Sequence, residues 1–333
     1  MVEWQEWSES DAKAKWDTAL RGAPDSNFYQ SHGWGEYKSL GKWIVRRGNV
    51  LINGAPAAMA QCLVREFGPT RTAMIWVPGG TSGSRIGRLK LGEALQRHYK
   101  GWYIYVRVNI LLEEQPAHVS EMAASDWTPA KVTVGHPRTF LLDLLQDPEE
   151  RRRTLTGNWR HNLARAERRG ATIELWDETK PADLIHAIYR ETNSRNGLAE
   201  TVCLADFDAM RTMLGKDFIV AVAVGSDQRP CAMRGFGKLG DRAYDLIAGV
   251  STAGRKDYSN YLLLWRLLEL ARQQGVRSYD LSGADNVRAP GVFNFKKGLG
   301  GRLVTWIGEW EWSNAWWLRS GVNLAVRYRR AHL

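Results

Sequence analysis

The chain has 333 residues, of which 44% are hydrophobic and 25% are charged, and its formal net charge is +10 at pH 7. This composition can build a sizeable hydrophobic core and excludes a mainly disordered chain. The length predicts one large domain or two ordinary ones. The basic balance favours a phosphate-bearing partner, a nucleic acid or an anionic membrane surface, unless it has no specific function.

Cysteine usage and hydropathy exclude several classes of protein. The three cysteines, Cys62, Cys203 and Cys231, are far apart and form no CxxC pair, so neither a disulfide framework nor a zinc site is predicted. The polar N-terminus contains no apolar signal region, and no run of about 18 apolar residues predicts a membrane span. We therefore expect a cytoplasmic protein without a metal.

The first half of the chain predicts a hairpin, a third strand, a helix and a fourth strand. Residues 43 to 66 are rich in β-forming residues around Asn53-Gly54, a dipeptide typical of a tight turn. AMIWV predicts a strand over residues 73 to 77. SRIGRLKLGEALQRHYKG predicts a helix that ends at Gly101, and WYIYVRV predicts a strand over residues 102 to 108.

The second half repeats this order. FIVAVAV, CAMRGFGKL and RAYDLIAGV predict three strands, YLLLWRLLELARQQG predicts an amphipathic helix, and VRSYDLSG predicts the next strand. We therefore predict an α/β protein with mixed sheets in two tandem domains, in an order that resembles the GNAT acyltransferase fold. The predicted limits are 1–135 for the first domain, 136–310 for the second and 311–333 for a Trp- and Arg-rich C-terminal helix.

A basic segment lies between the two halves. Asp147, Pro148 and two glutamates predict a helix start, and Gly170 predicts its end. The intervening arginines are Arg151, Arg152, Arg153, Arg160, Arg165, Arg168 and Arg169. They form either a contact surface for phosphates or an RNA backbone, or a solvated helix face partly paired with nearby glutamates.

Four segments together resemble one family of enzymes. They are FYQSHGWGEYKSLG, WRHNLARAERRG, YRETNSRNGL and YDLSGADNVRAPGVFNFKKGLGGRLVTWIGEW. In this order, between residues 28 and 310, they resemble the motifs of the Fem family (FemABX) of bacterial peptidyltransferases. An ordered set of this kind is more specific than any single motif.

The resemblance implies two GNAT-like domains and an aminoacyltransferase. Family members transfer an aminoacyl group from aminoacyl-tRNA to an amine on the peptide of a peptidoglycan precursor. No metal or organic cofactor is implied. The expected donor is therefore an aminoacyl-tRNA. The expected acceptor is a cell-wall precursor, either soluble or lipid-linked.

The implied chemistry gives the stretch FNFKKGLGG a role. When an amine attacks an ester carbonyl carbon, a tetrahedral oxyanion forms, and one fixed donor to such an oxygen is typically worth about 2.7–4 kcal/mol. The resemblance places the family's Phe-Lys pair on Phe295 and Lys296. Lys296 would then stabilise the oxyanion, and Phe295 would stack on the terminal adenosine. The alternative is an ordinary hairpin turn with solvated lysines, in which Gly298, Gly300 and Gly301 supply positive φ angles.

Six further residues are candidate substrate ligands: Lys38, Arg107, Asn109, Arg160, Arg195 and Lys297. The resemblance assigns substrate phosphates to Lys38, in the first motif, and to Arg195, in the second domain. Arg160 belongs to the arginine-rich motif, and Lys297 is a second cation beside Lys296.

Two segments depart from the family pattern. Arg107 and Asn109 stand where many members carry a run like RxDP, and an asparagine cannot act as a general base. VPGGTSG replaces a run like MPRGP near the acceptor. Both peptidoglycan and another envelope polymer therefore stay open as the source of the acceptor amine.

Two other functions compete with this one. A CoA-dependent N-acyltransferase would hold pyrophosphate on a glycine-rich loop before a helix, but the loop STAGRKDYSNYLL has only Gly254, with no second glycine two residues later. A non-catalytic module that binds RNA or an anionic envelope precursor is compatible with the positive charge and the arginine-rich segment.

The C-terminal segment WSNAWWLRSGVNLAVRYRRAHL combines tryptophans with arginines. It predicts either an interfacial helix at the cytoplasmic face of the inner membrane or a terminal helix packed on the first domain.

Overall fold

The computed structural model describes residues 1–23, 25–177, 179–197 and 202–331. The strands are β1 (Val2–Glu6), β2 (Ile44–Ile52), β3 (Ala55–Phe67), β4 (Thr72–Val77), β5 (Ser82–Gly83), β6 (Tyr103–Glu113), β7 (Thr128–Pro129), β8 (Arg138–Asp143), β9 (Thr172–Leu175), β10 (Phe218–Val224), β11 (Pro230–Leu239), β12 (Arg242–Val250), β13 (Ser278–Asp280) and β14 (Arg302–Ser313). The helices are α1 (Glu9–Arg21), α2 (His32–Ser39), α3 (Arg85–Leu89), α4 (Leu91–His98), α5 (Pro116–Ala124), α6 (Pro148–Thr154), α7 (Gly157–Arg168), α8 (Ala182–Arg195), α9 (Leu204–Leu214), α10 (Thr252–Lys256), α11 (Ser259–Gln273), α12 (Pro290–Lys297) and α13 (Trp316–Ala331).

Two compact units divide the chain. Unit 1 comprises Met1–Pro137 and Thr305–Leu333, and unit 2 comprises Arg138–Val304. The predicted limits of 136–310 and 311–333 differ from this division because β14 pairs with β6 of unit 1 from Trp306 onward. The predicted C-terminal helix begins at Trp316, and its last two residues, 332 and 333, lie outside the described part of the chain.

Unit 1 is built on a mixed sheet. Its strands follow the order β1-β2-β3-β4-β6-β14. The β4–β6 pair is parallel and the other neighbours are antiparallel. Asn53 and Gly54 form the predicted turn between β2 and β3, with φ angles of 52° and 82°. Helices α3 and α4 connect the parallel pair, as a parallel crossover requires.

Unit 2 has a sheet of the same kind, in the order β8-β13-β12-β11-β10-β9. Here β12 and β13 are the parallel pair, connected by α10 and α11, and the other neighbours are antiparallel. The predicted repeat of three strands, a helical connection and a fourth strand is therefore present in both units. The amphipathic helix α11 packs its leucines against Trp159, Phe236 and Tyr279 in the core of unit 2.

Three predicted elements differ in the structure. The single helix expected before Gly101 is two helices that meet at Lys90. The long basic helix is also two helices, because Leu155 and Thr156 are extended, with ψ angles of 140° and 153°. The hairpin turn given as the alternative for FNFKKGLGG is wrong: residues 293–297 form the end of α12, which begins at Pro290, and the glycines follow the helix.

No helix among the described residues combines the length and the apolar character needed to cross a membrane.

Candidate active site in unit 2

The candidate site lies where two parallel strands of unit 2 separate. β12 and β13 pair over only three residues, up to Tyr244 and Asp280, although β12 continues to Val250. Beyond this point the chain turns at Ser282, whose φ of 54° is unusual for a residue with a side chain. Crevices at the carboxyl ends of parallel strands are common binding sites in α/β proteins.

Lys296, at the end of α12, is a buried cation that faces this turn. Its Nζ donates hydrogen bonds to the backbone oxygens of Ser282 (2.7 Å) and Gly283 (2.8 Å), and the residue is 7% exposed. Burial lowers the pKa of the amine to about 8. A lysine ammonium has three N–H donors. Among the described residues these two oxygens are the acceptors of this amine, which leaves its third N–H without an acceptor there.

Asp280, the last residue of β13, is a buried carboxylate on the other side of the same turn. Its Oδ1 accepts hydrogen bonds from the backbone N–H of Ser282 (2.6 Å) and from the Thr139 hydroxyl. Burial raises the pKa of this carboxyl to about 6, so it is mainly ionised at neutral pH. Asp280 thus fixes the turn that supplies both carbonyl partners of Lys296.

A buried ion pair forms the base of the site. Arg234 of β11 donates from Nε and Nη2 to the two carboxylate oxygens of Asp245 on β12, at 2.9 and 2.8 Å. The hydroxyl of Tyr279 approaches the same carboxylate at 3.3 Å. The Ser282 hydroxyl donates to the backbone oxygen of Asp245 at 2.5 Å. A bidentate pair of this kind is geometrically specific and holds β11, β12 and the turn together.

Aromatic rings surround Phe295. Its half-buried ring lies 5.0 Å from the Tyr261 ring and 5.7 Å from the Trp159 ring, and the Arg234 guanidinium lies 5.7 Å from its centroid. Trp159 Nε1 donates to the backbone oxygen of Phe295 at 3.0 Å. The Phe295 ring thus packs on other aromatic rings of the protein, and part of it is accessible to solvent. Its stacking on an adenosine stays a prediction.

The glycines after Lys297 permit close packing inside unit 2. A Cβ on Gly298 would lie 2.5 Å from Cδ1 of Trp159, and a Cβ on Gly301 would lie 2.8 Å from the Leu141 backbone oxygen. Both contacts are too short for a side chain. The two glycines therefore allow neighbouring protein atoms to approach closely, and this packing positions α12 and Lys296.

Arg195, at the end of α8, lies beside the end of β12. Its Nη2 donates to the backbone oxygen of Val250 at 2.9 Å, and its Nη1 lies 3.6 Å from the Glu191 carboxylate. Nε and Nη1 are buried and find no hydrogen-bond partner among the residues that the structure describes. The half-buried guanidinium therefore keeps N–H groups for an anion, and its role in binding phosphate stays a prediction.

The carboxylate of Glu191, a residue of α8, binds the start of the loop in which a CoA-dependent enzyme would hold pyrophosphate. Its Oε1 accepts from the backbone N–H and from the hydroxyl of Thr252, at 2.6 and 2.7 Å. The N–H of Gly254 is bound by the Ser251 hydroxyl at 3.1 Å, and a Cβ on Gly254 would overlap the Cys231 backbone oxygen. The N–H groups of Thr252 and Gly254 at this helix start are thus used internally.

The candidate residues of unit 1 have separate surroundings. Lys38 Nζ lies 4.6 Å from the Trp34 ring centroid and 4.4 Å from that of Tyr37. Arg107 is buried and paired with the Glu309 carboxylate and the backbone oxygen of Val132. Its guanidinium thus binds groups of the protein itself, and these contacts explain a buried arginine in β6 without a substrate.

Three further candidates lie partly or fully at the surface: Asn109, Arg160 and Lys297. Asn109 is half-buried on β6, and Arg160 and Lys297 are exposed on α7 and α12. Several neighbouring arginines of the basic segment are paired: Arg151 with Glu269, Arg152 with Glu167, Arg165 with the Tyr258 hydroxyl and Arg169 with Asp257. This pairing reduces the free positive surface that an RNA-binding module would require.

Sequence reasoning did not single out Arg234, Asp245, Asp280 or Trp159 as parts of the site. Arg234 and Asp245 are charges inside strands that are otherwise apolar, CAMRGFGKL and RAYDLIAGV, and a buried charge needs a partner. That signal could have found the pair. Asp280 and Trp159 lie inside two of the segments that resemble the Fem family, but the resemblance assigned roles to other residues of those segments.

A comparison with known protein families finds a match within unit 2. Residues 149–297 match the acetyltransferase (GNAT) domain family. This segment contains Lys296, Asp280, Arg234 and Asp245, so the site lies inside the matched domain. No curated protein sequence gives a significant match to the chain.

Solved structures share the fold at low sequence identity. The crystal structure of FemX has a TM-score of 0.79 at 16% identity, covering 96% of this chain and all (100%) of that chain. The C-terminal domain of a putative lysylphosphatidylglycerol synthetase from Agrobacterium fabrum has a TM-score of 0.57 at 14% identity, with 96% and 94% covered. A tandem GNAT protein from the clavulanic acid biosynthesis pathway has a TM-score of 0.55 at 14% identity, with 95% and 99% covered. The predicted fold of two GNAT-like domains is confirmed.

Proposed function

We propose that this acyltransferase, which has the FemABX-like GNAT fold, transfers an aminoacyl group from aminoacyl-tRNA to an amine of a cell-envelope precursor. A peptide amine of a peptidoglycan precursor is the first candidate acceptor. The observation that carries the proposal is the buried ammonium of Lys296, which is held by two backbone carbonyls and keeps one N–H for a substrate oxygen. Charged tRNA would place the reaction in the cytoplasm.

The proposed reaction is aminolysis of the ester that links the aminoacyl group to the tRNA. The neutral acceptor amine attacks the ester carbonyl carbon, a C–N bond forms, and the carbonyl electron pair moves onto oxygen. Lys296 would donate its third N–H to this oxyanion. When the oxyanion collapses, the C–O bond to the ribose breaks, and the proton lost by the attacking nitrogen goes to the leaving ribose oxygen. The products are an amide and uncharged tRNA.

The protonation state of Lys296 favours a donor over a base. Two N–H groups face the carbonyls in either state, so the third position is an N–H when the amine is charged and a lone pair when it is neutral. With a pKa of about 8, the charged form dominates at neutral pH. The charge is held by the neutral carbonyls of Ser282 and Gly283, which do not cancel its field at the oxyanion.

The start of α10 supports an aminoacyl-tRNA donor rather than CoA. A CoA pyrophosphate would need free N–H groups there. The N–H of Thr252 is already bound by the Glu191 carboxylate, and the N–H of Gly254 is bound by the Ser251 hydroxyl. A pyrophosphate would also meet the negative charge of Glu191. Both effects disfavour CoA at this loop.

A direct assay tests the proposal. Purified protein is incubated with a set of charged tRNAs and a soluble muropeptide precursor, and mass spectrometry looks for the addition of one residue. Parallel reactions contain acetyl-CoA, the Lys296→Ala variant, or the Lys297→Ala variant as the matched control for an exposed neighbouring lysine. We expect addition with one class of charged tRNA, lost only in Lys296→Ala. Acetylation from acetyl-CoA without addition from any charged tRNA would overturn the proposal.

A further inference from the structure

The C-terminal helix α13 has two apolar faces, of which only one is covered. Leu318 and Val322 are buried in a small cluster with Tyr105 and Ala315 of unit 1. By contrast, Trp316 is 80% exposed, Leu324 is 70% exposed, and Trp317 and Tyr328 are also exposed. A surface helix ordinarily turns one apolar stripe inward and presents polar residues outward.

The exposed apolar residues share one side of the helix. At about 100° per residue, positions 316, 317, 324 and 328 fall within an arc of about 120°, together with Ser320 and Arg327. Leu318 and Val322 lie on the opposite side. The outer face is therefore a continuous stripe along the helix, composed mainly of aromatic rings and one leucine.

The stripe continues onto the rest of unit 1, and it carries positive charge through the exposed Arg327 and the adjoining Lys100. Tyr103, itself exposed, packs edge-on against Trp317 with ring centroids 5.4 Å apart. A groove lined in part by Lys100, Trp102 and Tyr103 lies beside it. The sequence from 316 to 331 contains four arginines, Arg319, Arg327, Arg329 and Arg330, and no acidic residue.

We propose that the outer stripe of α13, with Tyr103 and Lys100, docks unit 1 on an anionic lipid bilayer, with the helix lying in the plane of the interface. Tryptophan and tyrosine prefer the boundary between headgroups and acyl chains, and arginines bind the lipid phosphates. The helix has 16 residues, so it is about 24 Å long and suited to lying on a bilayer rather than crossing it.

The charge of the stripe favours lipid over a second copy of this chain. A symmetric dimer through this face would bring the Arg327 side chains of two identical helices together. No acidic residue of the helix would neutralise them. An anionic bilayer complements both the aromatic and the basic residues of the stripe, and this binding is independent of the proposed transfer reaction.

Vesicle co-sedimentation tests the proposal with the full-length protein. Vesicles contain either phosphatidylglycerol mixed with phosphatidylcholine or phosphatidylcholine alone. The Trp316→Ser/Leu324→Ser double variant removes the centre of the stripe, and Arg327→Glu reverses a charge. Val134→Ser is the matched control, because Val134 is an exposed apolar residue of unit 1 outside the stripe (62%).

We expect the wild type and Val134→Ser to bind the phosphatidylglycerol vesicles. The double variant should partition about tenfold more weakly or worse, and Arg327→Glu about fivefold more weakly. Binding of the wild type should weaken at high salt. Absence of wild-type binding, or wild-type binding by both variants, would overturn the proposal. So would a wild-type dimer that the double variant abolishes without any vesicle binding.

Two controls keep the result interpretable. Melting temperatures should match the wild type because the substituted side chains are exposed, and if the double variant fails to fold, Arg327→Glu and the salt series decide alone. Transfer to a soluble acceptor should be unchanged in every variant. A failure of vesicle binding is thereby separated from a failure of the proposed reaction.

Discussion

Lys296 Nζ lies 2.7 Å from the backbone oxygen of Ser282, a residue held at a φ of 54°. The buried cation is therefore bound by backbone dipoles in a fixed turn, and within the described part of the chain it forms no ion pair with a carboxylate. Asp280 contributes by binding the Ser282 N–H, which fixes the turn from the other side. This arrangement positions a positive charge while leaving it able to stabilise an anion.

Substitution of Lys296 should separate chemistry from binding. Loss of one oxyanion donor typically costs about 2.7–4 kcal/mol, so Lys296→Ala should lower kcat about 100- to 1,000-fold with little change in acceptor affinity. Steady-state kinetics measure kcat, and calorimetry with the soluble acceptor measures affinity. Lys297→Ala should stay within about twofold of the wild type, because Lys297 is exposed. A similar loss in both variants would show that the local positive field, and not the buried amine, supports turnover.

The pH dependence should distinguish a donor from a base. Burial lowers the pKa of Lys296 to about 8, so the N–H donor is present below this pH and lost as the pH rises through it. After correction for ionisation of the acceptor amine, kcat should fall above about pH 8. The measurement is a kcat–pH profile from pH 6 to 10. A corrected rate that increases through pH 8 would indicate that the neutral amine acts as a base.

Much of the fold was predictable because both units follow simple patterns. FIVAVAV and RAYDLIAGV coincide with β10 and β12, and Asn53-Gly54 forms the expected turn. The hairpin that the glycines suggested as the alternative at FNFKKGLGG was wrong. In the structure they follow a helix and make room for Trp159 and Leu141. Such packing depends on residues that are distant in the sequence.

The site itself was only partly predictable. Lys296 was identified from a motif, but its partners are backbone oxygens, which no sequence pattern reveals. Arg234 and Asp245 meet because of a register shift between β11 and β12 at Gly235 and Phe236. A register of this kind is set by tertiary packing, so two charges in separate strands could not be paired from the sequence.

Acetyl-CoA should not stabilise the protein. The N–H of Thr252 is already bound by Glu191, and the carboxylate repels a pyrophosphate. We expect a shift in melting temperature of less than about 1 °C at millimolar acetyl-CoA, measured by differential scanning fluorimetry, because a ligand that does not bind adds no stability. Clear, saturable stabilisation by acetyl-CoA would favour the CoA-dependent alternative.

The Arg234–Asp245 pair should be required for the stability of unit 2. Because both groups are buried, removal of one partner leaves an uncompensated charge, and Asp245→Ala should lower the free energy of unfolding by about 3–5 kcal/mol. The double variant Arg234→Met/Asp245→Leu should recover much of this loss, because no isolated charge remains. Urea unfolding measures both values. Equal destabilisation by the single and double variants would mean that packing, and not an unpaired charge, causes the loss.

Gly298 should tolerate no side chain, in contrast to Gly291 in the same helical segment. A Cβ on Gly298 would lie 2.5 Å from Cδ1 of Trp159, whereas nothing lies within 4 Å of a Cβ on Gly291. Gly298→Ala should lower the free energy of unfolding by about 1–3 kcal/mol through overpacking. It should also reduce turnover, because displacement of Trp159 moves the backbone of Phe295, to which it is hydrogen-bonded, next to Lys296. Gly291→Ala should leave both quantities near the wild-type values. Urea unfolding and the transfer assay check the two effects, and identical behaviour of the two variants would contradict the packing role of Gly298.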